Sequence, residues 1–193
     1  MKHRWYMIVL ALVVLTGCRA SAPGAAAVQA HYAELAGFTA HIKVISDLDQ
    51  AVMEYEMDYT YHKDDPDAFT ITAPESLAGI GGTIAGVDSA QFSLQYDGME
   101  LDDAMPQRAG LTPADGLFCL LADLRSAEPV QQWSETVQGV KLLVLKYEEA
   151  REKETVEKQV WLTADGLRPV CAELYADGRC VLSIQVMQYQ PTE

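Results

Sequence analysis

The stretch MEYEMDYTY, residues 53–61, alternates between two kinds of side chain. Met or Tyr occupies every odd position, and Glu, Asp or Thr occupies every even one. A period of two is the side-chain period of a β-strand, and it places the two kinds of residue on opposite faces. The stretch therefore predicts a long antiparallel strand with one face covered by the protein and the other face in water.

Neighbouring segments show similar patterns and extend this strand into a meander. Upstream lies GFTAHIKVIS with a turn at DLDQ, and downstream, after the turn DDPD, lie AFTITA, GTIAGV and AQFSLQY. The last third contains VKLLVLKYEEA, TVEKQVWLTA, LRPVCAELYA and RCVLSIQVMQY, with turns predicted at REKE, at Asp165 and Gly166, and at Asp177 and Gly178. We expect roughly nine or ten strands in an antiparallel sheet, and strands this long twist and curl.

Two segments are predicted to form helices that cover this sheet. AAAVQAHYAELAG, residues 25–37, is rich in Ala and ends with Gly37 as a C-terminal cap. In TPADGLFCLLADLRSA, Thr112 is the predicted N-cap and Pro113 the first helical residue. An apolar stripe at helical spacing follows, made of Leu117, Leu120, Leu121 and Leu124. The fold class predicted is α+β, a half-barrel of long antiparallel strands lidded by two main helices.

The N-terminus carries an export signal. Lys2 and Arg4 precede an apolar run of 13 residues, Trp5–Gly17, which suits a secretory signal and is too short for a membrane-spanning helix. The end of this run together with the following cysteine, that is Leu15, Thr16, Gly17 and Cys18, resembles the lipobox of bacterial lipoproteins. That resemblance implies cleavage between Gly17 and Cys18 and a lipid on the Cys18 thiol. The alternative is an ordinary secretory signal cleaved after Ala20, Ser21 and Ala22.

Cleavage before Cys18 divides the chain into three parts. Residues 1–17 are the predicted signal peptide, residues 18–27 a lipidated tether, and residues 28–193 a single domain. The loss of Lys2 and Arg4 changes the net charge from −14 to −16. Such an acidic body is repelled by nucleic acid and by anionic headgroups, so the lipid anchor must hold it at the membrane. We expect it on the outer face of the cytoplasmic membrane, or at the outer membrane if the cell has one.

Three further cysteines raise the question of disulfides. A two-residue turn at Asp177 and Gly178 sets Cys180 opposite Tyr175 and Cys171 opposite Ile184. The two thiols are then four residues out of register, beyond the reach of a disulfide, so we predict that they are not bridged. For Cys119, both a bond to one of the two and a role as a small buried side chain stay open.

The sequence contains no recognisable catalytic machinery. The HExxH, CxxC and GxSxG patterns are absent, and the predicted domain has three histidines, His31, His41 and His62. Adjacent acids, such as Glu148 and Glu149, point to opposite faces of a strand and cannot share a proton or a metal ion. We therefore predict a protein that is not an enzyme, with no catalytic residues, no metal site and no cofactor.

The order of these features resembles a known superfamily. A lipobox, a short helix, a meander of long strands, a middle helix and a final run of hairpins is similar to the lipoprotein carriers and receptors LolA and LolB and the stress-sensor protein RseB. The segments GFTAHIKV, KDDPDAFTI, PESLAG and GLRPVCAELYADGRCVLSI are similar to the germination lipoproteins of clostridia, of the GerS type. This resemblance implies a half-barrel around a hydrophobic cavity and a non-enzymatic, membrane-tethered partner of a cell-wall amidase, in germination or cortex modification.

The apolar side chains of the sheet and the middle helix form the candidate site. They either pack as a plain core or line a cavity for an acyl chain, because Met adapts to flexible ligands and tyrosine hydroxyls need polar partners. The candidates are Met53, Tyr55, Met57, Tyr59, Tyr61, Leu117, Leu121 and Leu124. Two hypotheses follow: an envelope lipoprotein that acts through protein interaction, and a module that binds a hydrophobic ligand as a LolB-like receptor or carrier.

Overall fold

The computed structural model describes residues 23–48, 51–86, 91–101, 106 and 108–192. The predicted signal peptide, Cys18 and most of the tether lie outside these residues. The helices are α1 (Ala25–Glu34) and α2 (Gly116–Ser126). The strands are β1 (Gly37–Leu48), β2 (Ala51–His62), β3 (Asp67–Ala73), β4 (Gly81–Ala85), β5 (Gln91–Tyr96), β6 (Met99–Leu101), β7 (Gln131–Val137), β8 (Val140–Ala150), β9 (Thr155–Thr163), β10 (Pro169–Ala176) and β11 (Arg179–Thr192).

All strands of the described residues join one antiparallel sheet, in the order β6-β5-β4-β3-β2-β1-β11-β10-β9-β8-β7. Neighbours in the sheet are neighbours in sequence except at the centre, where β1 pairs with β11. The sheet is curved and does not close, so the predicted α+β half-barrel with two covering helices is confirmed. Two short strands, β6 and β7, bring the number above the nine or ten expected.

The alternation of residues 53–61 has the structural meaning predicted from it. Met57, Tyr59 and Tyr61 are almost fully buried on the concave face, whereas Glu54 and Asp58 are exposed on the convex face. Phe38 of β1 contacts the rings of Tyr59 and Tyr61 at centroid distances of 6.3 and 5.4 Å. An aromatic layer thus forms the centre of the core.

Both helices pack on this concave face and against each other. The predicted stripe of α2 is correct, because Leu117, Leu120, Leu121 and Leu124 are all buried. Among the described residues, neither helix is long and apolar enough to cross a membrane.

The predicted helix ends were wrong. The N-cap of α2 is Asp115, because Thr112 belongs to a preceding turn in which its amide and its hydroxyl donate to the Asp115 carboxylate at 3.1 and 2.6 Å. Gly37 does not cap α1, which ends with Leu35 as its C-cap; instead it starts β1. A Cβ atom at Gly37 would lie 2.6 Å from the Tyr61 carbonyl oxygen, so this position needs glycine for close approach of two strands.

The turns predicted in the C-terminal third are present. The turn at residues 177–178 has positive φ at both positions, as a hairpin of two residues requires, and so does a turn at residues 97–98. Residues 151–154 connect β8 to β9 as expected. The predicted turn at Asp165 and Gly166 is also present, within a connection that runs from the end of β9 at Thr163 to the start of β10 at Pro169.

Cys171 and Cys180 carry free thiols, as predicted, although the register differs in one respect. Cys180 lies opposite Tyr175, but a bulge beside Leu174 shifts the pairing so that Cys171 lies opposite Gln185 instead of Ile184. Cys119 is buried in the core on α2.

The Asp115 carboxylate organises the entry to α2 and provides a test of the fold. It is fully buried and also accepts a hydrogen bond of 2.7 Å from the Gly110 amide. We expect Asp115→Ala to lower the free energy of unfolding by about 2–4 kcal/mol in urea denaturation, because several buried donors lose their acceptor. Asp115→Asn keeps one acceptor oxygen and should lose less. Equal stability of Asp115→Ala and the wild type would contradict this account.

Candidate functional site

Most of the eight residues predicted to line a cavity lie in the core of the protein. Six are almost fully buried, while Met53 and Tyr55 lie nearer the β1–β2 turn and Met53 is 42% exposed. The Tyr55 hydroxyl contacts the Met53 sulfur at 3.3 Å. Of the eight, Tyr61 alone borders one of the clefts formed by the described residues. The structure therefore places these side chains against one another, and ligand binding by them stays a prediction.

The main open space lies beside α2. This α2 cleft has a larger lobe of about 620 Å³ between α2 and strands β8 and β9, with Phe118, Ala122, Tyr147 and Val156 in its walls. A smaller lobe of about 450 Å³ reaches the ends of β2 and β4, at Tyr61 and Ile84. Gly86, Phe118 and Arg125 line both lobes, so the two lobes adjoin. Sites for small molecules typically have volumes of about 300–1,000 Å³.

A buried lysine links the two walls of the larger lobe, α2 and β9. Lys158 lies on the inward face of β9 between Val156 and Val160 and is only 5% exposed. Its ammonium group donates to the Asp123 carboxylate of α2 at 2.7 Å and lies 3.9 Å from the Glu149 carboxylate. The Arg151 guanidinium, which donates to Glu149, holds the pKa of that carboxyl below its ordinary value. These contacts fix α2 to the sheet at one side of the cleft.

The smaller lobe contains a buried acid and an arginine. The Tyr59 hydroxyl donates to the Asp67 carboxylate, and both side chains are buried. Burial raises the pKa of Asp67 to about 6, although the nearby Arg125 opposes the shift. The Arg125 guanidinium lies over the Tyr61 ring, 5.2 Å from its centroid. The buried Tyr61 hydroxyl has no hydrogen-bond partner among the described residues.

A second distinct feature lies on the convex face. Four residues lie opposite one another across four adjacent strands and form what we call the tryptophan row. They are Trp133 of β7, Val144 of β8, Trp161 of β9 and Cys171 of β10. Val144 is fully buried there, outside the main core cluster, while Trp133 is 36% exposed. The Trp161 indole donates to the Glu135 carboxylate.

The tryptophan row lies beside an edge of the sheet. In the described residues β7 has β8 on one side and no strand on the other, and an edge strand of this kind can pair with another chain. Val137 and Val140, at the turn that joins β7 to β8, are 47% and 51% exposed. This end of the convex face thus combines apolar side chains with an unpaired backbone edge.

The sequence reasoning missed the residues that characterise both features. Strand β7 has the sequence QQWSETV, which shows no alternation of apolar and polar residues. Because this edge strand buries few of its side chains, it has no apolar face that the sequence could reveal. The feature that could have revealed β7 is the turn after it, at Gln138 and Gly139, which have positive φ values. Arg125 is recognisable only as a cation in the last turn of a helix predicted to lie on the sheet.

The described residues contain no group of three or more His, Cys, Asp or Glu side chains that could hold a metal ion.

No family model matches the chain, and no curated protein matches it. Several solved structures match the chain. A LolA superfamily protein from Nitrosomonas europaea is 15% identical with a TM-score of 0.42, over 89% of this chain and 95% of that one. This chain is thus similar to a protein of the superfamily that its sequence resembles.

Two further solved structures are similar to this chain. A chain from the structure of the CwlD amidase of Clostridioides difficile in complex with the GerS lipoprotein matches at 15% identity and a TM-score of 0.42. The match covers 85% of this protein and 91% of that chain. LprF of Mycobacterium bovis matches at 10% identity and a TM-score of 0.47, over 90% and 97% of the two chains. At these identities the likeness concerns the fold.

The Asp67 carboxyl predicts a pH dependence of stability. In the unfolded chain an aspartate titrates at about pH 4, whereas the pKa of Asp67 in the fold is about 6. Between these values the folded chain keeps a proton that the unfolded chain has released, so the free energy of unfolding falls as the pH rises. Asp67→Asn cannot titrate, and its amide oxygen can still accept from Tyr59.

We therefore expect Asp67→Asn to gain stability relative to the wild type as the pH rises from about 4 to about 7, by up to about 3 kcal/mol. Urea denaturation at several pH values in this range measures the difference. Asp165→Asn, at an exposed position, serves as the control. A difference that stays constant with pH would show that the Asp67 carboxyl does not titrate in this way.

Proposed function

We propose that this protein is a non-enzymatic lipoprotein, anchored through Cys18 on the outer side of a membrane, that acts by binding another protein of the cell envelope. The observation that carries the proposal is the tryptophan row beside the unpaired edge of β7. Aromatic side chains, tryptophan above all, are the residues that most often dominate the binding energy of protein interfaces. A partly exposed Trp133, on the same face of β7 as the exposed Val137, offers such an anchor.

Charge defines the partner further. The convex face around the tryptophan row carries Glu135, Glu157 and Glu173 against one cation, Lys146, which is ion-paired to Glu157, and the whole chain has a net charge of −14. A partner should therefore present an apolar patch surrounded by basic residues, since complementary charges guide association. The sequence resemblance to germination lipoproteins makes a cell-wall amidase the first partner to test, in germination or in modification of the spore cortex.

The interaction is tested with the mature chain carrying Cys18→Ser and a purified cell-wall amidase from the same cells. Trp133→Ser should weaken binding in titration calorimetry by about tenfold or more, the loss expected for an interface anchor. Val52→Ser is the matched control, because Val52 is 69% exposed on β2, six strands away from β7. Rising salt should also weaken binding. Equal affinities of Trp133→Ser and the wild type would exclude the tryptophan row as the interface.

The lipid anchor has its own test. In cells grown with an alkyne analogue of palmitate, the wild type should become labelled and remain in the membrane fraction, whereas Cys18→Ser should do neither. Intact mass measurement of the processed chain checks the cleavage position. An unlabelled wild-type chain that begins at Pro23 would instead support ordinary secretory processing after Ala22.

A second candidate function rests on the α2 cleft. Its larger lobe, with Phe118, Ala122 and Val156 in its wall, has the size of a site for a hydrophobic ligand. This favours a receptor or carrier role similar to that of LolB. Native mass spectrometry before and after organic extraction tests it: a co-purified acyl compound supports the role, and a bare polypeptide mass in a protein isolated from its own cells speaks against it.

A further inference from the structure

Arg125 occupies a distinctive place in the α2 cleft. It lines both lobes, and no ion pair joins it to a carboxylate among the described residues. Lys158, the other cation of the larger lobe, is in contrast bound to Asp123 and close to Glu149. A guanidinium in a partly enclosed cleft, with an aromatic ring on one side and no direct ion pair to a carboxylate of the described residues, is suited to receive an anion.

We propose that Arg125 binds the anionic head of a single-chain amphiphile whose hydrocarbon tail lies in the larger lobe of the α2 cleft. The inference deepens the second candidate function and rests on it. It assigns the ligand class and the residue that selects it. The tail would lie against Phe118, Ala122 and Val156, and the head would lie at Arg125, where the two lobes adjoin.

The surroundings of Tyr61 give independent support. Its ring lies beneath the Arg125 guanidinium and orients it, and its hydroxyl is buried with no partner among the described residues. Buried hydroxyl groups in proteins are nearly always hydrogen-bonded, so an orphan beside an open lobe marks a place for an acceptor from outside. A carboxylate or phosphate head could bond to the guanidinium and extend an acceptor toward this side of the cleft.

The other charged groups of the cleft determine which way the amphiphile lies. The larger lobe is lined by four carboxylates, those of Asp123, Glu128, Glu148 and Glu149, against the cations Arg125 and Lys158, and this excess of negative charge repels an anion there. The smaller lobe has Lys63 and His62 in addition to Arg125, opposed by Asp65 and Asp67. The head therefore belongs at the smaller lobe, and the uncharged tail in the larger one.

Asp67 makes the inference testable in both directions. Its carboxyl lines the smaller lobe and interacts electrostatically with Arg125, so its negative charge competes with an anionic ligand. Removing that charge should strengthen binding, while removing the Arg125 charge should weaken it. A gain of affinity cannot come from a variant that simply fails to fold.

The experiment uses the mature chain with Cys18→Ser and two probes, dodecanoate and the uncharged dodecanol, both below their solubility or micelle limits. Arg125→Gln should lower the affinity for dodecanoate about tenfold or more, as expected for the loss of a charge-assisted hydrogen bond. The affinity for dodecanol should stay the same. Asp67→Asn should raise the affinity for dodecanoate about threefold, by removal of a nearby like charge.

Arg168→Gln is the matched control, because Arg168 is exposed and lines none of the clefts. Its affinities should equal those of the wild type. Unchanged dodecanoate binding in Arg125→Gln, with dodecanol bound as well, would overturn the role of Arg125 and leave the hydrophobic-ligand function in place. Failure of both probes to bind the wild type would overturn the ligand function and this inference together.

Discussion

The pairing of β1 with β11 is the contact on which the rest of the structure depends. Every other pair of adjacent strands is a neighbour in sequence, so each half of the sheet is a meander that local hairpins can form alone. The β1–β11 ladder joins residues as distant as Gly37 and Thr192 and unites the two meanders into one curved sheet. Long-range pairing of this kind costs more chain entropy than a hairpin does, and the buried side chains on both sides must compensate for it.

The concave face shows how that compensation arises. Phe38 of β1 contacts Tyr59 and Tyr61 on one neighbour and Tyr189 on the other, with centroids 4.9 Å apart in the last pair. The aromatic layer therefore spans the junction between the two meanders. Helix α2 covers it with leucines, and Gly116 permits the close approach, since a Cβ atom there would lie 2.4 Å from a methyl carbon of Leu182.

The same curvature produces the two features to which we assign function. Because the sheet bends around α2 without closing, a cleft remains on the side of α2 that the aromatic layer does not fill, and Arg125 and Lys158 lie there. Because the sheet does not close, β7 keeps an unpaired edge, and the tryptophan row lies beside it. Function is thus expected where the half-barrel stays open, and the residues 53–61 that first identified the fold serve mainly to fill it.

Much of the fold could be read from local patterns, because alternation and turn chemistry act over a few residues. The hairpin at Asp177 and Gly178 illustrates this, since two positive φ values are a local demand that Gly and Asp meet. The errors arose where a contact outside the predicted helix end decides the position. Thr112 has the chemistry of a cap, but the buried Asp115 takes the position because Gly110 also donates to it. Gly37 resembles a helix cap, yet its smallness serves the approach of β2 and β11.

The sequence by itself determined the fold class, the direction of each strand face and the stripe of α2, because these follow from periodicity along the chain. It did not determine which apolar side chains fill the core and which ones border open space. That outcome depends on how far the sheet curves and where α2 rests, and both are set by contacts between residues far apart in sequence. Tertiary structure alone therefore placed Tyr61 beneath Arg125 and aligned Trp133 with Trp161 across three strands.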